Sequence, residues 1–187
     1  MRTSPLHLAA EEGQPLDGSA RERLLGLVEA HHDLVWRTLR RLGVLGAETD
    51  DAAQQVFLIA LRKVDRIAAG KERSFLYGVA VRVARARRRR SRSRRLEPWP
   101  EEGLPSEAAS PHQMAVKAEA WRRVQAALAL LTTDLREVFV LHEIEELPGP
   151  AIAELLSIPT GTVASRLRRA RAAFRAALAT EDREDTP

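Results

Sequence analysis

Arg166, Arg168, Arg169, Arg171 and Arg175 fall within ten residues of one another in the stretch TGTVASRLRRARAAFRAAL, residues 160–178. Guanidiniums gathered this closely can bond phosphates and base edges. Two small hydroxyl residues, Thr162 and Ser165, precede them. At about 100° per residue, Val163, Leu167, Ala170, Phe174 and Leu178 lie within about 80° of one another and form one apolar stripe. Thr162, Ser165 and Arg169 fall on the opposite face with Arg168 beside them, while Arg166 and Arg171 lie at its flanks. One side therefore packs, and the other presents hydroxyls and guanidiniums.

Small polar residues early and arginines late suit the second helix of a helix-turn-helix, whose first turn enters the major groove. Thr162, Ser165 and Arg166 would reach base edges or methyl groups there, with the later arginines on phosphates. Gly161 removes a side chain where the helix would approach the DNA backbone. A solvated basic face on a packing helix is the competing account, and for a basic helix alone it is the stronger one. The short apolar segment GPAIAELL upstream and the break SIPTG between the two shift the balance toward DNA.

Other chemistries find no support. His31 and His32 are adjacent and diverge on a helix, and His7, His112 and His142 are scattered, so no zinc site is expected. Neither a P-loop lysine motif nor GxGxxG occurs, so neither nucleotide use nor any other cofactor is expected, and the chain does not read as an enzyme. The chain contains no cysteine, which excludes a disulfide framework and a catalytic thiol and makes the cytoplasm the natural compartment. The N-terminal MRTSPLHLAAEEGQPLDG lacks the apolar run of a signal peptide. No segment approaches the roughly 18 uninterrupted apolar residues of a membrane span, so no membrane insertion is expected. Lys and Arg number 30 against 26 Asp and Glu, a formal charge of +4, so where the cations sit matters more than their sum.

The elements that must position the arginines all read as helices. Leu24, Val28, Val35, Leu39 and Leu42, with Trp36 alongside, give a first amphipathic helix that Gly43 and Gly46 end. A second starts at Thr49 or Asp50, either of which can cap it, and turns Ala53, Val56, Phe57, Ala60 and Val64 inward. A third begins near Ser74 with Leu76, Val79, Ala80 and Val83 on one side. Its stripe meets Arg87 and Arg90, so the helix is expected to end or leave its domain at about Arg85 to Arg87. Ser91 to about Ser110 is rich in Pro, Ser and Glu without periodicity, which marks a linker. Pro111 opens a fourth helix with Val116, Ala120, Val124, Leu128 and Leu131. Thr132 or Thr133 caps a fifth, with Leu135, Val138, Phe139 and Ile144 as its apolar positions.

These segments resemble a known family. EVFVLHEIEELPGPAIAELLSIPTGTVASRLRRAR, Glu137 to Arg171, is similar to region 4 of bacterial RNA polymerase sigma factors, above all the small extracytoplasmic-function (ECF) type. DAAQQVFLIALRKV, Asp51 to Val64, looks like region 2.2, and SFLYGVAVRVARARRRR, Ser74 to Arg90, like regions 2.3 and 2.4. The resemblance covers about residues 24 to 90 and 116 to 178, in the family's order across a linker. It implies binding to the clamp helices of the polymerase largest subunit through Asp50, Asp51, Gln54, Gln55, Phe57 and Leu58. It implies recognition and opening of the −10 element through Lys71, Arg73, Phe75, Tyr77, Arg82 and Arg85. It further implies recognition of the −35 element through Gly161, Thr162, Ser165, Arg166, Arg168 and Arg169, docking of this unit on the polymerase flap, and in some members capture by an anti-sigma factor.

Holding an unstacked strand requires cations and stacking surfaces, which Lys71, Arg73, Phe75 and Tyr77 bring to one place. The run from Arg82 to Arg95 surrounds any helix it forms, so it suits phosphate attraction rather than sequence reading. The family usually has Trp where Phe75 stands and often a polar amide where Arg82 stands. Ala52 and Gln55 replace a familiar Leu and Glu, and Pro148 and Ala151 a usual Ser and Glu.

The expectation is an all-α chain of two small helical domains joined by a flexible linker, the second ending in a helix-turn-helix. Its boundaries are a tail over 1–20, a region 2 domain over 21–90, a linker over 91–112, a region 4 domain over 113–179 with its helix-turn-helix about 148–167, and a tail over 180–187. The function expected is that of a dissociable initiation subunit, with core RNA polymerase and promoter DNA as partners. Two rivals are a helix-turn-helix regulator that is no sigma subunit and a sigma mimic that sequesters an anti-sigma factor.

Overall fold

The computed structural model describes residues 18–64, 67–91 and 111–184. Among them every regular element is helical: α1 (Gly18–Arg41), α2 (Glu48–Leu61), α3 (Glu72–Ser91), α4 (Pro111–Leu130), α5 (Thr133–Phe139), a π-helical turn (Val140–Ile144), α6 (Gly149–Leu156) and α7 (Thr160–Glu184). The all-α expectation holds. The chain divides into two compact units, Met1–Glu97 and Pro98–Pro187. The tail expected over 1–20 and the linker expected over 91–112 fall almost wholly outside the described residues.

In the first unit α1, α2 and α3 pack pairwise into a three-helix bundle. Leu24, Val35 and Leu39 of α1 meet Val56, Phe57 and Ala60 of α2 and Leu76, Val79, Ala80 and Val83 of α3 in a buried core. Each large apolar side chain so placed contributes about 1.5–3 kcal/mol by leaving water. Val28 is only half-buried and Leu27 is buried in its place. Leu27, Val64 and Ile67 line one cavity of about 290 Å³, so the chain after α2 covers a position that helical period alone leaves at the edge.

The end of α1 is fixed by its backbone. Val44 N–H donates to Leu39 O at 3.0 Å and Gly43 N–H to Arg40 O at 2.9 Å. That paired closure is a Schellman motif, and it requires the left-handed φ of 90° that Gly43 supplies. α2 starts at Glu48 without the side-chain cap expected of Thr49 or Asp50. Thr49 is buried and its hydroxyl donates back to Val44 O at 3.3 Å. Glu48, Asp50 and Asp51 still place negative charge in the first turn, where the helix dipole favours it. α3 does not end at Arg85 to Arg87 but runs to Ser91. Arg88, one position past the stripe residue Arg87, reaches back to donate to Leu42 O at 3.4 Å, a carbonyl left open at the end of α1.

In the second unit α7 is the hub, packing on α4, α5 and α6. Val163, Leu167, Ala170 and Ala177 are buried along it. In the last two turns of α4 Gln125, Ala127 and Leu128 are buried, with Leu131 just beyond. Of the expected α4 stripe, Ala120 is exposed and Val124 half-buried, Leu128 and Leu131 are buried, and the side chain of Val116 lies outside the described residues. The expected single fifth helix is instead α5 and the π turn. Val138, Phe139, Val140 and Leu141 are all buried, and Glu145 N–H closes the wide turn on Val140 O at 3.0 Å. Four consecutive buried residues leave a 3.6-residue period no face to choose.

Candidate nucleic-acid interface

α6 and α7 form the expected helix-turn-helix from local chemistry. Pro148 stands in extended conformation at the N-cap of α6, and Pro150 falls in the first turn, where a missing N–H costs no intrahelical bond. Ile152, Ala153 and Leu156 are buried. The helix then closes as α1 does: Ile158 N–H donates to Ala153 O at 3.0 Å and Ser157 N–H to Glu154 O at 3.2 Å. Ser157 holds the left-handed position with φ 55° and ψ 48°. Pro159 O accepts Thr162 N–H at 2.9 Å and Val163 N–H at 3.1 Å, which starts α7 on the far side of the turn.

Along α7 the apolar stripe faces the unit and Gly161, Arg168 and Arg169 are exposed on the other side, with Thr162 and Ser165 half-buried. Ser165 Oγ donates to Thr162 O at 3.0 Å, and Arg169 Nε lies 3.5 Å from Ser165 O. A Cβ built at Gly161 meets nothing within 4 Å, so the unit's own packing does not demand glycine there. Phe174 is half-buried against Phe139, their ring centroids 4.5 Å apart.

Two arginines of this stretch are already committed within the unit. Arg166, expected among the DNA contacts, donates from Nη2 to Asp134 Oδ2 at 2.6 Å. Arg171 donates from Nε and Nη2 to Glu143 Oε1 at 3.0 and 2.7 Å. His142 directs Nδ1 to Leu147 O at 3.0 Å beside that pair. Asp134 and Glu143 were not among the expected site residues. The one sequence signal for them is the flanking position of Arg166 and Arg171, which says that something must meet those guanidiniums without naming it.

In the first unit Lys71, Arg73 and Phe75 do come together at the start of α3, Lys71 and Arg73 exposed and Phe75 half-buried. Tyr77 is a correction: it is 2% exposed, and its hydroxyl bonds Arg73 Nη2 at 3.1 Å, so its ring belongs to the core and not to a stacking surface. Arg82 is exposed one face further along and Arg85 half-buried. Gly70, with φ 77°, turns the short loop into α3.

On α2 the residues Asp50, Asp51, Gln54, Leu58 and Gln55 occupy one arc of about 140°. Asp50, Asp51 and Gln55 are exposed; Gln54 and Leu58 are half-buried. Phe57, set with them by the resemblance but turned inward by the helical period, is buried as the period expects. It is 1% exposed and stacked on His32 with centroids 6.3 Å apart, because it lies on the core edge of that arc. No group of His, Asp and Glu among the described residues is arranged to hold a metal ion, and no described helix is long and apolar enough to cross a membrane.

Known proteins match both units. The family described as Sigma-70 region 2 matches residues 27–95, and that described as Sigma-70, region 4 matches residues 121–174. The ECF RNA polymerase sigma factor SigE of Mycolicibacterium smegmatis is 31% identical over 160 residues, 84% of this chain and 62% of that protein. The ECF RNA polymerase sigma factor SigD of Mycobacterium tuberculosis is 31% identical over 179 residues, 85% of this chain and 82% of that protein. The solved sigma factor RpoE of Bartonella quintana, in complex with the anti-sigma factor NepR, has the same fold at 20% identity. Its TM-score is 0.63 over 84% of this chain and 95% of that one.

Proposed function

This chain belongs to the ECF sigma factors of the sigma-70 family, and from that premise we propose that it binds core RNA polymerase and directs it to promoters with paired −10 and −35 elements. The observation that carries the reading is the outward arc of α7. Gly161, Thr162, Ser165, Arg168 and Arg169 lie opposite a buried stripe, with no side chain at 161 and no packing reason for its absence. Such a surface fits the major groove of the −35 element, hydroxyls toward base edges and guanidiniums toward guanine or phosphate. Arg166 joins it only by leaving Asp134.

In the first unit the acids and amides of α2, exposed Asp50, Asp51 and Gln55 and half-buried Gln54, form with Leu58 the surface offered to the polymerase clamp. Lys71, Arg73, Phe75, Arg82 and Arg85 form the surface offered to the −10 element, Phe75 supplying the stacking face and the cations the phosphate attraction. The second unit also docks on the polymerase flap. The working compartment is the cytoplasm, and an anti-sigma factor is a further partner, as NepR is for the Bartonella protein of the same fold.

The test is transcription by cognate core polymerase from a genomic promoter pool, with and without the purified chain. Transcripts that appear only with the chain, their starts sharing two upstream elements, are expected. No stimulated transcript would sink the proposal. Binding to an anti-sigma factor without any transcription would favour the sigma mimic.

A further inference from the structure

The segment of α7 from Thr160 to Leu178 holds five arginines and no acidic residue. The carboxylates that pair with them come from other elements, and there are two among the described residues. Arg166 is held by Asp134 from the first turn of α5 at 2.6 Å, and Arg171 by Glu143 from the π turn at 2.7 Å. The two arginines stand about 140° apart around α7, on opposite flanks of the stripe that Phe139 and Phe174 help to close. Arg168, Arg169 and Arg175 form no ion pair among the described residues; Arg169 and Arg175 turn their Nε to backbone carbonyls of their own helix.

α7 is already fixed by its buried stripe, and ion pairs this exposed add little to stability. Their larger consequence is for counterions. A guanidinium N–H that bonds a carboxylate is not available to a phosphate, and every phosphate left unbonded takes away one increment of salt-dependent, sequence-independent affinity.

We propose that Asp134 and Glu143 act as intramolecular rivals of DNA phosphate. They hold Arg166 and Arg171 against α5 and the π turn and so lower the affinity of the second unit for DNA of arbitrary sequence. Discrimination is left to Thr162, Ser165, Arg168 and Arg169, which makes the two acids specificity-determining residues that need not touch a base. The proposal rests on the reading that DNA lies on the outward arc of α7.

The test is equilibrium binding of the full chain to a labelled duplex of scrambled sequence across a series of salt concentrations. Asp134→Asn and Glu143→Gln keep shape and remove charge. Each is expected to raise affinity several-fold at low salt and to steepen the plot of log K against log salt by up to about 0.9. The gain from Glu143→Gln is expected to vanish in an Arg171→Gln background, because the arginine it releases is gone. A gain that persists there, or no gain in either acid variant, overturns the proposal. Should Asp134→Asn fail to fold, the Glu143 and Arg171 cycle decides alone. A combined Arg168→Ala and Arg169→Ala variant separates the two levels: if it binds DNA like the parent, the reading of α7 as the DNA face fails. If it binds more weakly while the acid variants match the parent, only the rivalry fails.

Discussion

The indole N–H of Trp36 on α1 is bonded to Oδ1 of Asp50 on α2 over 2.9 Å. Arg40 lies over the same ring, its guanidinium carbon 4.7 Å from the centroid. One aromatic side chain thus joins two helices, and the acid it holds is the first of the arc proposed to meet polymerase.

Trp36→Phe is expected to cost about 1 kcal/mol, since a ring remains for packing while the bond to a carboxylate is lost. Asp50→Asn is expected to cost less, because an amide oxygen still accepts the indole proton. Urea denaturation of the full chain measures both; equal losses would mean that the bond carries none of the difference.

Gly43 and Ser157 occupy the same left-handed place in two Schellman closures, yet only one of them is glycine. Ser157→Gly is expected to stabilise the second unit by about 0.5–1 kcal/mol, relief of the side-chain clash outweighing the added freedom of the unfolded chain. Ser157→Val should destabilise it by more than that. A lower melting temperature for the glycine variant would contradict the αL assignment.

The Phe139 and Phe174 rings fasten the C-terminal half of α7 to α5. Phe139→Ala is expected to cost about 3 kcal/mol for a buried ring, and Phe174→Ala less, because that ring is half-exposed. A double-mutant cycle should return a coupling of about 0.5–1.5 kcal/mol. Additive losses would show that the rings are neighbours without being partners.

Arg169 is exposed, with no carboxylate on it among the described residues. Arg169→Ala is expected to weaken promoter binding while leaving core polymerase binding intact. A loss of about 1–3 kcal/mol confined to the parent sequence marks a base contact, whereas a uniform loss with a salt slope shallower by about 1 marks a phosphate contact. Equal loss of polymerase and promoter binding would assign Arg169 to the fold instead.

The helical order was legible because apolar spacing is a local signal. Leu76, Val79, Ala80 and Val83, and again Val163, Leu167 and Ala170, proved buried where their period put them. What approaches a face is not local. Asp134 and Arg166 are 32 positions apart, Glu143 and Arg171 are 28, and nothing in either segment names the other. Tyr77 went astray for a related reason: it stands at the boundary between the packed and the open face of α3, and it is buried with its hydroxyl accepting a bond from Arg73. Phe57 was legible, since the period of α2 already turned it inward and only the family resemblance set it among the clamp contacts. Thr49 caps nothing because α2 begins ahead of it, at Glu48, which puts its hydroxyl inside the first turn, where it donates to Val44 O.

A π turn carries one residue more than ordinary winding needs, and at Val140–Ile144 that extra residue lies at the very end of the α5 helix, ahead of the segment that leads to α6. Loss of one residue there would be absorbed locally by a return to ordinary winding. Glu143 sits inside the turn, so its aim at Arg171 depends on that winding. The grip on one arginine of the DNA face is thus open to change by length alone, with no substitution in α7.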